Sequence, residues 1–229
     1  ILLWSRPTEP GRSRPLYQSI PSIIRTLVQA QSANFYHRIA AAAIRFGDRP
    51  AIEMTGAGGT SLSYRDLIAT ATRFAAWLAT SGGVGRGDRV AIFAANDDRW
   101  VAAYLGILRL GAVAVPLDVA YSADQVRTVI ADCSARVLLT SERLHQTARD
   151  AASGVTPSPV VAVLSMPLDI HRDDAPVADL TANDRAAILY TSGTTADPKG
   201  VVLTHGNLDA ERAAALAIIV VTEDDVVLG

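Results

Sequence analysis

The stretch that decides the fold is residues 89–118, RVAIFAANDDRWVAAYLGILRLGAVAVPLD. It begins and ends with continuously apolar runs typical of buried strands, and the residues between them have the length and apolar spacing of a helix. We predict Asn96 as the N-cap of that helix, with Asp97 and Asp98 in its first turn, where the helix dipole stabilises carboxylates. Gly111 marks the predicted C-terminus. The stretch therefore predicts a strand, a helix and a second strand.

The same alternation continues after residue 118. Ser122 and Gln125 form a capping-box pattern that opens the helix ADQVRTVIAD. The strand RVLLT, a helix in SERLHQTARDAA and the strand PVVAVL follow in turn. Strands that are apolar throughout and are separated by helices of about 10 to 15 residues are buried on both faces. We therefore predict the α/β class, with a mainly parallel sheet flanked by helices.

Helices and a hairpin are also predicted before residue 89. One helix runs from an Asn34 cap to Gly47, with apolar residues recurring on one face. The segments AIEM and TSLS flank a glycine-rich turn at residues 55–59, which predicts a hairpin. Ser63 and Asp66 then open another helix. The alternation of strands and helices therefore begins near residue 51.

We divide the chain into an N-terminal extension and one main domain. Residues 1–33 form the extension, with a leader rich in proline and arginine followed by a helical segment at residues 20–28. Residues 34–229 form the main domain. Within it, residues 165–185 are polar and contain prolines, which predicts a connector between two parts of the domain.

Composition excludes several classes of protein. The chain has 229 residues, is 49% hydrophobic and 19% charged, and carries a formal net charge of −2. Such a chain forms a core and is not disordered. A charge this small gives no general attraction to nucleic acid or to an anionic membrane, so any phosphate binding has to be local. We therefore expect small-molecule partners and no nucleic acid.

The cysteine content and the apolar runs bear on location and metals. Cys133 is the only cysteine and ends a predicted helix, so we interpret it as a packing residue in a reducing, cytoplasmic setting. No Cys/His cluster has the spacing of a structural zinc site, and we predict no metal ligands. The longest nearly apolar run, residues 101–117, is interrupted by Arg109 and is too short to span a bilayer.

A polar loop follows the apolar strand AAILYT. Residues 189–200 read LYTSGTTADPKG, and ligands of open α/β sheets bind where such loops leave the carboxyl ends of strands. Gly193 allows close approach of the backbone, neighbouring hydroxyls are donors, and Lys199 adds a positive charge. These residue types suit a chain of phosphates.

Two interpretations of this loop stay open on residue types alone. It is not the nucleotide P-loop GxxxxGK[ST], because Gly200 follows Lys199 and VVLT predicts a second strand. Asn207 is predicted to cap the helix LDAERAAALAII that comes next. The alternative to an anion-binding loop is a hairpin in which DPKG is a type I turn, with Pro198 at its second position.

The longer string YTSGTTADPKGVVLTHGNL, residues 190–208, closely resembles the phosphate-binding signature of the acyl-adenylate-forming superfamily. This superfamily includes acyl-CoA synthetases, luciferases and the adenylation domains of peptide synthetases. The segments SYRDLIATATRFAAWLA and ARVLLTSERL and residues 87–118 resemble further segments of the same family. The resemblance covers residues 34–229, so the fold is expected to be the N-terminal part of the adenylate-forming fold. Ala196 stands where the family usually has glycine.

The resemblance implies an ATP-dependent ligase that works in two steps. A carboxylate attacks the α-phosphate of ATP and pyrophosphate leaves, after which a thiol, commonly that of coenzyme A, takes the acyl group. Mg²⁺ helps by neutralising the phosphates. The resemblance also implies which residues hold the ATP phosphates: Thr191, Ser192, Gly193, Thr194, Thr195, Lys199 and Gly200.

Other motifs of the family have no counterpart in this sequence. They are the aromatic-Gly-x-Thr-Glu motif that helps to hold magnesium, a ribose-binding aspartate, a hinge and a lysine on a C-terminal domain. The string VVTEDD at residues 220–225 lacks the preceding aromatic residue and glycine, so we interpret Thr222 as a cap. We therefore expect an N-terminal portion of such an enzyme that lacks the catalytic residues and is inactive alone, with the C-terminal portion of the same enzyme as its missing partner.

The resemblance favours one branch of the family. The string GVVLTHGNL is closer to acyl-CoA synthetases, of the kind that ligate long-chain fatty acids, than to peptide-synthetase domains. An adenylation domain for an amino or aryl acid, or a non-catalytic nucleotide-binding module, remains an alternative. His205 follows a predicted strand with no acid partner in view, so we expect a structural role for it.

Overall fold

The computed structural model describes residues 3–4, 35–55, 59–168, 177–191, 199–220 and 222–227. Its strands are β1 (Leu3–Trp4), β2 (Pro50–Glu53), β3 (Ser61–Ser63), β4 (Arg89–Phe93), β5 (Val113–Pro116), β6 (Val137–Thr140), β7 (Val160–Val163), β8 (Arg185–Thr191), β9 (Lys199–Thr204) and β10 (Val226–Val227). Its α-helices are α1 (Phe35–Phe46), α2 (Tyr64–Thr80), α3 (Asp98–Arg109), α4 (Ala123–Asp132), α5 (His145–Ser153) and α6 (His205–Ile218). A 3₁₀ turn, Glu142–Leu144, precedes α5.

Six strands form one sheet in the order β7-β6-β4-β5-β8-β9. Every neighbouring pair is parallel except β8 and β9, which are antiparallel. The predicted α/β class with a mainly parallel sheet is therefore confirmed. The strands β2 and β3 form the predicted hairpin, and β1 pairs with β10 in a separate two-stranded ribbon.

Helices cover both faces of this sheet. Along β4, Val90 and Ile92 belong to one buried cluster with α1, α2 and α3, whereas Ala91 and Phe93 belong to a second cluster with α4 and α5. Alternate residues of a strand point to opposite faces, so both faces of β4 are buried in apolar contacts. This explains why the strand sequences are apolar throughout and do not alternate with polar residues.

Some predictions fall on residues that the structure does not describe. They are the leader and helical segment within residues 1–33, apart from residues 3–4, the Asn34 cap, residues 56–58 of the glycine-rich turn, the middle of the connector at residues 169–176, and residues 192–198 of the polar loop. The described parts of the connector, residues 165–168 and 177–184, have neither helix nor strand, and Arg185 is the first residue of β8.

Two predicted helix caps are wrong. Asp97, not Asn96, caps α3, since the Asp97 carboxylate accepts a hydrogen bond from the Trp100 backbone N–H at 2.6 Å. The chain stays extended at Asp97, so the helix starts one residue later than predicted. Thr204 caps α6, and Asn207 is its capping-box partner three residues later. Strand β9 runs directly into α6, which leaves its last residue as the cap.

Other cap predictions are confirmed. Ser122 and Gln125 form a complete capping box at α4, and the Ser63 hydroxyl accepts a hydrogen bond from the Asp66 backbone N–H at α2. Cys133 lies buried at the end of α4, and burial raises the pKa of its thiol to about 11. A thiol with that pKa is protonated at neutral pH, which fits the predicted packing role.

A glycine allows α2 and α3 to pack closely. A Cβ placed on Gly106 would lie 2.8 Å from the backbone oxygen of Ala71 and 2.9 Å from Cβ of Phe74. Neither atom can move without shifting α2. The absence of a side chain at Gly106 therefore sets the distance between the two helices.

Replacing Gly106 by alanine is expected to lower the free energy of unfolding by about 1 to 3 kcal/mol, because the added methyl overpacks the contact between the helices. Gly85→Ala is the control, since a Cβ there would meet only the Asp88 carboxylate, at 3.8 Å. Urea unfolding followed by circular dichroism measures both. Equal midpoints for the two variants would show that Gly106 does not limit the packing.

Among the described residues, no helix has both the length and the apolar character needed to cross a bilayer.

Candidate functional site

The two ends of the polar loop meet at the end of the β8–β9 hairpin. Thr191, the last residue of β8, pairs with Lys199, the first residue of β9, and Tyr190 pairs with Gly200. The predicted sequence of strand, loop and strand is therefore confirmed. Three of the seven predicted site residues, Thr191, Lys199 and Gly200, are brought together, whereas Ser192, Gly193, Thr194 and Thr195 lie outside the described residues.

This hairpin end lies at the carboxyl edge of the parallel sheet. Strand β8 runs parallel to β5, so Thr191 leaves the sheet on the side where β4, β5 and β6 also end. Strands β5 and β6 lie on opposite sides of β4, and the helices that follow β4 and β5 cover opposite faces. Such a reversal of strand order opens a crevice at the carboxyl edge, where α/β proteins bind ligands.

Two helices also begin at this edge, but their own residues satisfy their N-termini. Asp97 caps α3, and Asp98 also lies in its first turn. Ser122 and Gln125 close the first turn of α4. The positive ends of these two dipoles are therefore already partly compensated.

Lys199 is the positively charged group of the hairpin end. Its side chain is exposed, and the ion pairs within the described part of the chain all use arginine. No carboxylate among the described residues lies within ion-pair distance of its ammonium group. Lys199 thus has no ion-pair partner in the described part of the chain, and a hydrogen bond from such a charged group to an anion contributes about 1.5 to 3 kcal/mol.

Tyr190 and Asp132 are two residues that the sequence analysis missed. The Tyr190 hydroxyl donates a hydrogen bond to the Asp132 carboxylate, at the last residue of α4. Burial, followed by this hydrogen bond, raises the pKa of Tyr190. The tyrosine therefore stays protonated and remains a donor at physiological pH. Period-2 spacing places Tyr190 on the same face as Ile188, but no local pattern connects it to Asp132.

His205 lies at the opposite end of β9 from Lys199. His205 is six residues along the chain from Lys199, which is about 20 Å at about 3.3 Å per residue. His205 is fully buried, its Nδ1 accepts a hydrogen bond from the Phe35 backbone N–H, and its own backbone N–H donates to the Asp184 carbonyl. It joins α1, α6 and the segment before β8, as expected for a structural residue.

The free energy of unfolding is expected to fall as the pH is lowered below 6.5. Burial lowers the pKa of His205 and of His37 from the ordinary value of 6.5, so the unfolded chain binds these protons more readily than the folded chain. Asp184, whose pKa is about 2 because of hydrogen bonds from Arg86 and Thr181, stays charged in this range. Urea unfolding between pH 7.5 and 5.5 measures the loss.

His205→Asn tests the assignment, because asparagine keeps an acceptor for the Phe35 N–H but does not titrate. The variant should lose less stability over this pH range. An unchanged slope would mean that His205 does not contribute.

The string VVTEDD also has a structural role. The Thr222 N–H and hydroxyl both donate to the Asp225 carboxylate, which closes a turn, and Glu223 pairs with Arg45 at 2.6 Å. The interpretation of Thr222 as a turn cap is therefore confirmed.

The described cavities do not include the hairpin end. A cavity of about 400 Å³ lies between β3, α2, the start of α3 and residues 165–168, and its lining contains Arg73, Asp98 and Arg99. None of the seven predicted site residues lines it.

Comparisons with known proteins match most of this chain. The family model "AMP-binding enzyme" matches residues 39–229. The chain is 34% identical over 192 residues to oxalate–CoA ligase of Arabidopsis thaliana, which covers 79% of this chain and 37% of that protein. It is also 34% identical over 161 residues to surfactin synthase subunit 1 of Bacillus subtilis, covering 70% of this chain and 4% of that protein.

The fold has a counterpart among solved structures. ATP-bound MatB from Rhodopseudomonas palustris superposes with a TM-score of 0.68 at 28% identity, covering 81% of this chain and 37% of that chain. The chain therefore spans between 4% and 37% of the length of these three proteins.

Proposed function

Because the chain belongs to the AMP-binding enzyme family, we propose that its β8–β9 hairpin end binds the phosphates of ATP in a ligase that activates a carboxylic acid. The observation that carries this proposal is the pairing of Thr191 with Lys199 at the carboxyl edge of the sheet. It places a hydroxyl and a cation on adjacent strands, next to the crevice where such sheets bind ligands. Ser192, Gly193, Thr194, Thr195 and Gly200 complete the proposed site.

The proposed chemistry transfers an adenylyl group. A carboxylate oxygen attacks the α-phosphorus of ATP, the bond from that phosphorus to the bridging oxygen breaks, and pyrophosphate leaves. The ammonium group of Lys199 would stabilise the negative charge that collects on the leaving pyrophosphate, and the Thr191 hydroxyl would donate a hydrogen bond that orients it. A thiol then attacks the acyl carbon and AMP leaves.

Magnesium has no assigned protein ligand in this proposal. Among the described residues, no group of three or more His, Cys, Asp or Glu side chains could hold a metal ion. Mg²⁺ commonly reaches such sites bound to the nucleotide phosphates, with several of its waters retained.

We propose a fatty acid as the substrate, coenzyme A as the thiol and the cytoplasm as the location. The string GVVLTHGNL and the similarity to oxalate–CoA ligase support a CoA ligase. An adenylation domain for an amino or aryl acid is the second candidate, because the similarity to surfactin synthase subunit 1 has the same identity of 34%. A nucleotide-binding module without catalysis is the third. Residues 34–229 are proposed as part of the AMP-binding domain and residues 1–33 as an extension.

A protease can test phosphate binding, because Lys199 is the only lysine in the sequence. Endoproteinase Lys-C should cut the chain only at the bond between Lys199 and Gly200. ATP and pyrophosphate at millimolar concentration are expected to slow this cleavage, whereas adenosine is not. Equal protection by adenosine, or none by pyrophosphate, would contradict the proposal.

A second assay separates the candidate functions. Exchange of pyrophosphate into ATP, measured on the full product of the gene with fatty, aryl and amino acids, is expected to depend on a fatty acid. Dependence on an amino acid would favour the adenylation domain. Protection from Lys-C without any exchange would favour the module.

A further inference from the structure

The end of the β8–β9 hairpin extends beyond its parallel neighbour. Ala114 of β5 pairs with Ala187 of β8, so Pro116, the last residue of β5, is level with Leu189. Tyr190 and Thr191 therefore project past the end of β5. On the other side, β9 is the edge strand of the described sheet and is largely exposed. Within the described sheet, Tyr190 and Thr191 therefore have a neighbouring strand on one side only, and that strand is the exposed β9.

A hydrogen bond to α4 supports this end of β8. The Tyr190 hydroxyl donates to the carboxylate of Asp132, which is 58 residues earlier in the chain. Asp132 ends a helix that packs on the sheet through Val126, Val129 and Ile130, all of them buried. The hydrogen bond therefore ties the projecting end of β8 to a firmly packed element.

Gly200 completes the contact on the neighbouring strand. It lies opposite Tyr190, and a Cβ placed on it would come within 3.0 Å of Cζ of the tyrosine ring and 2.9 Å of Cγ2 of Ile188. The ring thus packs directly over the Gly200 backbone. One side chain therefore holds both strands where the loop begins and ends.

The geometry also separates this contact from the ligand. Neighbouring residues of a strand point to opposite faces, so Thr191 and its partner Lys199 point away from the face on which Tyr190 meets α4. The hydrogen bond between Tyr190 and Asp132 therefore lies on the other face of the strand pair from the side chains of Thr191 and Lys199.

We propose that Tyr190, Asp132 and Gly200 are positioning residues that fix Thr191 and Lys199 for phosphate binding, an inference that rests on the proposed function of the hairpin. Loss of the hydrogen bond would let the hairpin end open locally without unfolding the sheet. The sheet would keep its global stability while the geometry of the site loosened.

Tyr190→Phe tests the role, since it removes the hydroxyl and keeps the ring over Gly200. The rate of Lys-C cleavage without ligand is expected to rise about three- to tenfold, the size typical of one lost hydrogen bond. The dissociation constant for pyrophosphate, measured by calorimetry, is expected to rise by the same factor. The urea midpoint should not change. Tyr64→Phe, at the start of α2, is the matched control and should behave like the unsubstituted chain.

Substitutions at Asp132 show whether the two residues act together. Asp132→Ala removes the acceptor for the tyrosine hydroxyl and should speed Lys-C cleavage without ligand. Asp132→Asn keeps an acceptor and should be cleaved at nearly the rate of the unsubstituted chain. Combining Asp132→Ala with Tyr190→Phe should add little to either change, because both remove the same bond. These Asp132 variants also give the answer if Tyr190→Phe fails to fold.

The outcomes distinguish this inference from the proposed function. Cleavage of Tyr190→Phe at the rate of the unsubstituted chain, or additive effects in the double variant, would overturn the positioning role. Pyrophosphate that fails to protect even the unsubstituted chain would count against the proposed function, while the ligand-free cleavage rates would still report on Tyr190.

Discussion

The dissociation constant for pyrophosphate is expected to rise about 10- to 100-fold when Lys199 is replaced by glutamine. The substitution removes a charge-assisted hydrogen bond of about 1.5 to 3 kcal/mol, and each 1.4 kcal/mol changes affinity tenfold. No arginine can replace this charge from the adjacent strand position, because that position is occupied by Thr191. Isothermal titration calorimetry of the variant and the unsubstituted chain measures the change.

Arg185→Gln provides a control with the same change in net charge. Arg185 is exposed and lies at the opposite end of β8 from Thr191, about 20 Å away along the strand. At physiological ionic strength that distance exceeds the screening length of about 8 Å, so the affinity for pyrophosphate should hardly change. Equal losses in both variants would show that only net charge matters and that Lys199 has no local role.

The free energy of unfolding is expected to fall by about 3 to 5 kcal/mol when Phe93 is replaced by alanine, and by about 2 to 5 kcal/mol for Ile92→Ala. Both side chains are fully buried, but they lie on opposite faces of β4 and in different clusters. Each substitution leaves a cavity under a different helical layer. Urea unfolding at equilibrium measures both losses.

Val202→Ala is the control for these core variants. Val202 lies on the edge strand β9 and is 48% exposed, so its truncation should cost less than about 1 kcal/mol. If Phe93→Ala cost no more than Val202→Ala, the face covered by α4 and α5 would not be a packed core. The same result for Ile92→Ala would contradict the packing of α1, α2 and α3.

The fold was predictable because its signals are local. Continuous apolar runs identified β4, β5, β6 and β7, and the Ser122–Gln125 box identified the start of α4. The errors were also local. Asn96 and Asp97 are both good caps, and only the backbone path after β4 decides between them. At α6, asparagine is the commoner cap, but β9 continues up to Thr204 and Asn207 becomes its partner.

The candidate site was predictable in part. The residue types around the loop pointed to phosphate, and the antiparallel pairing of β8 with β9 brings Thr191 and Lys199 together as the order of strand, loop and strand required. The support from α4 was not predictable. The hydrogen bond between Tyr190 and Asp132 joins residues 58 positions apart, which come together through the packing of α4 on the folded sheet.

The structure also gives Gly200 a packing role that its sequence pattern did not indicate. From the sequence it was a loop glycine of the phosphate-binding signature. In the structure it is also the position over which the Tyr190 ring packs, at a distance that leaves no room for a side chain.

A carbon NMR spectrum of the chain labelled with ¹³C-lysine tests directly whether Lys199 binds the phosphates of ATP. Lys199 is the only lysine, so the methylene next to its amine gives a single signal. We expect ATP and pyrophosphate to shift this signal in a saturable way, whereas adenosine leaves it unchanged. A signal that stays in place while calorimetry shows bound pyrophosphate would contradict the claim that Lys199 holds the phosphates.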